Sequence, residues 1–165
     1  MAGMRSGDSP DPDSHRAGTV RRIAAVVEYD GAGFSGWQRQ DGVPSVQQAV
    51  EAALSQVADE PVRVTVAGRT DAGVHAAAQV IHFDAHARRS DYAWLRGANS
   101  NLPDNVALLW AAEVAADFHA RFAATGREYH YVILNRPVRP THLARRVTHE
   151  YRALDVARMQ VAASH

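Results

Sequence analysis

The sequence predicts an α+β fold: an antiparallel sheet of four strands with two helices on one face, followed by the start of a second unit. Two observations carry this. Apolar residues alternate at period two in some stretches and recur at helical spacing in others, in the order strand, helix, strand, strand, helix, strand. After that set, one strand-like and one helix-like run remain with no further strand to cover them.

Residues 1–19 hold two prolines, three aspartates and almost nothing to bury, and read as a disordered leader. Order is expected from Val20–Tyr29, where Ile23, Val26 and Val27 suit a strand. A glycine-rich loop, Asp30–Pro44, follows. Ser45 with Gln48 forms a capping box, and Val46, Val50, Leu54 and Val57 fall on one helical stripe. Pro61 marks its exit. Val62, Val64 and Val66 alternate with Arg63 and Thr65, as a half-buried strand does. Beyond the loop Ala67–Ala76, Gln79–Asp84 is a further apolar run. Asp91 is placed to cap a short helix with Trp94 and Leu95, closed by Asn99–Pro103, and Val106–Val114 reads as the fourth strand. This order is the split βαβ arrangement of ferredoxin-like (RRM-like) folds, here spanning residues 20–118.

Residues 119–165 form a basic segment and are expected to be the start of an incomplete second domain. Arg127–Asn135 reads as a strand and Leu154–Ala163 as a helix, with Leu154, Ala157 and Val161 on one side and Val156 and Met159 flanking them. The chain is expected to be C-terminally truncated, or to have its missing cover supplied by something else.

Composition narrows the chemistry. The chain has 165 residues, 46% of them apolar and 22% charged, as in a globular protein able to build a core without staples. It has no cysteine, which excludes a disulfide framework, a thiol nucleophile and thiolate zinc sites. No apolar run approaches the roughly 18–20 residues of a membrane span, so a cytoplasmic protein with no membrane partner is expected. The net charge of zero hides an asymmetry: residues 1–118 carry 10 Arg against 15 Asp and Glu, residues 119–165 carry 8 Arg against 3. All 18 cationic side chains are arginine. Guanidinium pairs with phosphate through two hydrogen bonds, which suits a nucleic-acid partner; a compositional bias toward Arg and Ala is the alternative.

The stretch Gly68-Arg69-Thr70-Asp71-Ala72-Gly73-Val74-His75 joins two expected strands. Gly68 and Gly73 allow sharp bends, and Arg69, Thr70 and Asp71 are presented at a rim. A carboxylate two residues from a guanidinium stays ionised at neutral pH and is usable as a nucleophile or base. An ordinary turn, with Asp71 bonding backbone amides, is the other reading of the same residue types.

The string AGRTDAGVHA at Ala67–Ala76 resembles the catalytic loop of the TruA family of tRNA pseudouridine synthases. Glu28–Gly31 with Gly36–Gln40, Ser45-Val46-Gln47, Asn99–Pro103, Asp117–Phe122 and Arg127–Tyr131 are similar to further motifs of that family, in the same order, and the likeness runs from about Val20 to the last residue. The resemblance implies a pseudouridine synthase fold of two ferredoxin-like domains with the active cleft between them. It implies an isomerase that converts uridine to pseudouridine in the anticodon stem-loop of tRNA, at positions 38, 39 and/or 40. No cofactor and no metal are implied, tRNA is the partner, and the full-length form is a homodimer. Asp71 matches the family's essential aspartate, which acts as a nucleophile or as a base. Arg69 matches an arginine that helps displace the target base and pairs with the aspartate. Tyr129 matches a tyrosine that stacks on the uracil, although Tyr131 shares its face in a strand. Extruding a base costs a few kcal/mol, and stacking on an aromatic ring returns about 1–3. Because the family's second domain continues beyond the length seen here, the 165-residue chain alone is expected to bind tRNA weakly and to be inactive or nearly so.

Gly31–Gly36 fits G-x-G-x-x-G after a strand, but a dinucleotide site needs a helix opening at the last glycine, and the helix here waits until Ser45. His75, His82 and His86 are spaced so that a strand would set them on different faces or levels, without a carboxylate triad, which does not suit a metal. Trp37 suits either stacking on RNA or burial over the sheet edge. The competing class is a non-catalytic RRM-like RNA-binding module, or an inactive fragment. Against the module, no strand is rich in exposed aromatics of the RNP kind.

Overall fold

The computed structural model describes residues 19–164, and the expected leader falls almost wholly outside them. The chain divides into two compact units, one ending at Ala124 and one beginning at Thr125.

The first unit contains β1 (Arg21–Tyr29), a 3-10 turn (Gly31–Gly33), α1 (Val46–Ala58), β2 (Val64–Val66), β3 (Ala76–Ala85), α2 (Asp91–Asn101) and β4 (Val106–Val114). The sheet order is β2-β3-β1-β4, and every pairing is antiparallel. Ile23, Ala25, Val27 and Tyr29 of β1 bury one face together with Ile81 and Phe83 of β3 and Val106 and Leu108 of β4. Both helices cover that face: Val50 and Leu54 of α1 and Trp94 and Ala98 of α2 enter the same core, and Phe83 meets Trp94 edge-on at 5.1 Å. The spacing of apolar residues thus decides both the element type and the buried side.

Local chemistry sets the boundaries. Ser45 caps α1, its hydroxyl accepting from the Gln48 N–H. The strand expected from Val62 begins at Val64, because the Val62 N–H is taken by the Ser55 hydroxyl at 2.9 Å and leaves the ladder. The cap of α2 is Ser90, not Asp91: the Ser90 hydroxyl accepts from the Ala93 N–H, and Asp91 sits in the first turn, where a carboxylate favours the helix dipole. Opposite Val26 and Val27 the register of β4 slips past Leu109, and the Asn99 side chain satisfies both the N–H and the carbonyl of Leu108 at this bulge.

The second unit holds β5 (Ile133–Asn135), β6 (Thr148–Glu150) and α3 (Val156–Ala163), with β5 and β6 parallel. The strand expected over Arg127–Asn135 is confined to its last three residues. Its ladder partner is three residues long and pairs only with Ile133–Asn135, so the preceding segment lacks a strand to bond with among the described residues. The helix expected from Leu154 starts two residues later: the Leu154 N–H bonds the Asn135 side chain, and Asp155 caps the helix by accepting from the Arg158 N–H. Val156 and Val161 are each 64% exposed, so the apolar residues of α3 lie open in this unit. No helix among the described residues is long and apolar enough to cross a membrane.

Candidate active site

The loop Ala67–His75 leaves β2 and enters β3 at the end of the sheet where β1 also ends. Two parts of the glycine-rich segment after β1 grip it. The Trp37 N–H donates to the Thr70 carbonyl at 2.9 Å, and the Gly73 N–H donates to the Phe34 carbonyl at 3.3 Å. The Thr70 hydroxyl shares a 2.8 Å hydrogen bond with the Tyr29 phenol, which is 2% exposed. The Gly31 N–H donates to His75 Nδ1 at 3.2 Å, and that nitrogen lies 3.1 Å from Asp30 Oδ1. Further along, the Gly68 carbonyl accepts from the Gln79 side chain at 2.7 Å.

Two glycines permit this approach. A Cβ at Gly31 would collide with the Val74 carbonyl oxygen, and one at Gly36, whose φ is +94°, would stand 2.8 Å from the Thr70 oxygen. Trp37 is buried at 1% exposure, packed 5.8 Å from the Tyr29 ring, so it belongs to the core beneath the loop and not to a surface that meets RNA. The helix after this segment begins at Val46, ten residues past Gly36, so the glycines serve this loop and form no dinucleotide turn.

Asp71 stands on the pinned backbone. Its own carbonyl accepts from the Val74 N–H at 3.2 Å, closing a turn, while its side chain is exposed. Among the described residues the Asp71 carboxylate has neither a hydrogen bond nor an ion pair, and no ion pair joins it to Arg69, also exposed. The result is an accessible carboxylate with open lone pairs on a backbone fixed at both sides. Such a group is suited to attack carbon or to accept a proton. Tyr129 lies in the other unit and is 73% exposed, as is Tyr131 at 77%; the Tyr131 hydroxyl accepts from the Thr148 hydroxyl.

A second constellation lies on the sheet face away from the helices. Arg22 pairs with Asp84 through two 2.8 Å bonds and also donates to the Ala116 and Phe118 carbonyls at 2.7 and 3.0 Å. Beside it His82, 5% exposed, accepts from the Ala120 N–H at 3.1 Å and meets the His119 ring at 4.7 Å. Burial, with Arg22 and His119 nearby, lowers the His82 pKa below the ordinary histidine value. The Arg22 guanidinium holds the Asp84 carboxyl below the usual carboxylate range. These groups fasten the segment Asp117–Phe122 to the sheet. The three histidines weighed as a metal set go to different partners: His75 to Gly31 and Asp30, His82 to Ala120, and His86 to Glu60 at 3.1 Å.

Sequence reasoning missed Tyr29, Gly31, Gly36 and Trp37 as supports of the Asp71 loop. All four lie in the stretches Glu28–Gly31 and Gly36–Gln40, so their signal was present as a motif without a partner. The buried Glu51 gave no signal at all, since a lone Glu on a helix ordinarily faces solvent.

Comparison with known proteins places the chain in a family. A family model described as tRNA pseudouridine synthase matches residues 25–123, a span that contains the loop and every residue that pins it. Proteins named tRNA pseudouridine synthase A from Salmonella arizonae and Klebsiella pneumoniae subsp. pneumoniae are each 56% identical over 144 residues, covering 87% of this chain and 53% of their own length. The protein of that name from Salmonella typhimurium is 53% identical over 148 residues, covering 90% of this chain and 55% of its own. The chain therefore spans about half the length of the relatives it matches. With most of the first unit matched by the family model, the chain belongs to the tRNA pseudouridine synthase family.

Proposed function

We propose that this chain provides the catalytic loop of an isomerase that converts uridine to pseudouridine in the anticodon stem-loop of tRNA, at positions 38, 39 and/or 40. Asp71 is the essential carboxylate, Arg69 helps to displace the target base and pairs with that carboxylate when substrate is engaged, and Tyr129 stacks on the uracil. The observation that carries the reading is the exposed, unengaged Asp71 carboxylate on a backbone pinned by Tyr29, Trp37 and Phe34. A passive binding surface has no need of that rigidity, whereas a reacting group gains from being held in place before the substrate arrives. The strand order and antiparallel pairing of the first unit support a ferredoxin-like fold, with a second, similar domain beginning in the basic C-terminal segment. The same reading carries tRNA as partner, a homodimer as the full-length form, the cytoplasm as compartment, and no metal or cofactor.

The test is release of tritium from tRNA labelled at uracil C5. It is run on this chain and on a chimera in which the second half of the Salmonella arizonae relative follows it, each with Asp71 and with Asp71→Asn. Release by the chimera that disappears in Asp71→Asn supports the reading. Equal release from both overturns Asp71, and binding of tRNA without release from either points to a binding module.

A further inference from the structure

We infer that Arg39 and Arg63 form a clamp for one phosphate of the RNA backbone, preorganised by the buried Glu51 carboxylate; this deepens the proposed reading and rests on it. Glu51 lies in α1 with its side chain only 3% exposed. Its Oε1 accepts from the Gln47 side chain at 2.9 Å and from the Val64 N–H at 3.2 Å. Its Oε2 accepts from Arg63 at 2.7 Å and from Arg39 at 3.4 Å.

One buried anion is neutralised by one cation. Here two guanidiniums converge on one oxygen, which leaves a single excess positive charge in a stretch of chain that is net acidic. Sharing that oxygen keeps the two donor nitrogens within about 6 Å of each other, close enough for both forks to bond one phosphate group. The side chains of Arg39 and Arg63 are 46% and 71% exposed, and among the described residues neither guanidinium has another partner. Two like charges held so near each other repel, and a second anion relieves that repulsion. Gln47 completes the arrangement by accepting from the Arg39 backbone N–H at 3.0 Å, which fixes the origin of that side chain.

The position suits an RNA engaged at Asp71. Arg63 stands at the entrance of β2 and the Asp71 loop at its exit, and four residues of extended chain span about 13 Å. A polynucleotide whose base reaches the loop has neighbouring phosphates at that range.

Binding of an unmodified tRNA transcript to the whole chain, measured against KCl concentration, tests the clamp. Arg39→Gln and Arg63→Gln are each expected to weaken binding at low salt and to reduce the slope of log affinity against log salt by about one. Arg63→Lys, which keeps the charge, is expected to restore most of the slope. Arg21→Gln, the same charge change at a residue paired with Glu113, is expected to leave it unaltered. Since loss of both cations strands the buried carboxylate, the double change is made together with Glu51→Gln and its folding is checked by thermal melting. A folded triple variant with the affinity and slope of the unaltered chain overturns the clamp, while loss of tritium release in Asp71→Asn would still uphold the proposed function. An unaltered chain with no salt-dependent affinity for the transcript overturns the clamp as well, and the release assay then decides the function separately.

Discussion

Tyr29 and Thr70 join their hydroxyls in a 2.8 Å hydrogen bond across 41 positions of chain, tying the last residue of β1 to the residue immediately before Asp71. Because the Tyr29 ring is also packed on Trp37, the placement of Asp71 depends on the core as well as on its own turn. Tyr29→Phe keeps the packing and removes only the bond. It is expected to cost about 1 kcal/mol in urea unfolding. Tritium release by the chimera is expected to fall several-fold, through kcat more than KM.

Gly36 and Gly42 both take positive φ, +94° and +77°, but differ in what surrounds them. A Cβ at Gly42 meets open space, while one at Gly36 meets the backbone of Thr70 and Asp71. Gly42→Ala is expected to cost about 1–2 kcal/mol from conformational strain alone. Gly36→Ala is expected to cost more and to abolish release, since the loop must retreat. Unfolding midpoints and release rates of the two variants check this.

Glu51→Ala removes the shared anion and leaves the Val64 N–H unpaired in the interior. Both arginines are left in contact with solvent, so the cost is mainly that of an unsatisfied buried donor, about 1–3 kcal/mol. Glu51→Gln, which keeps an acceptor, is expected to cost less, and chemical denaturation of both variants measures the difference.

Burial, Arg22 and His119 oppose protonation of His82 in the folded protein and outweigh Asp84, so its pKa lies below the ordinary histidine value. The unfolded chain takes up a proton near pH 6.5, the folded chain only at lower pH. Stability is therefore full above that value and is lost as pH falls from about 6.5 through the depressed folded pKa. A protonated ring also cannot accept the Ala120 N–H. Faster amide exchange at Ala120 at pH 5.5 than at pH 7.5, after correction for intrinsic rates, is expected. In His82→Gln the urea midpoint is expected to change less over that interval.

Asp59 ends α1 in the left-handed region at φ +57°. Glycine adopts that conformation without the Cβ penalty. Asp59→Gly is expected to stabilise the first unit by about 1 kcal/mol, read from the thermal midpoint, with no change in tRNA binding.

The order of the first six regular elements was legible because each depends on residues close in sequence: the apolar runs of β1 and β4, the alternation of Val62, Val64 and Val66, the stripe Val46, Val50, Leu54 and Val57, and the Ser45 cap. The 127–135 run was misjudged for the complementary reason. Its alternation suits a strand, but a strand exists only where another chain segment offers a ladder, and β6 offers three residues. The Ser90 cap was missed in favour of Asp91 because neighbouring residues with similar capping ability are separated by which hydroxyl or carboxylate reaches the N–H three positions on.

At the site, the sequence by itself determined the residue types, their order and the loop that carries Arg69 and Asp71. Only the tertiary structure decided that Trp37 is core, that Glu51 is buried between two arginines, and that Gly31 and Gly36 give way to the backbone carrying Asp71. Periodicity and capping are settled within one turn or one strand of a residue. Burial and hydrogen-bond partnership are settled by whatever the folded chain brings alongside it.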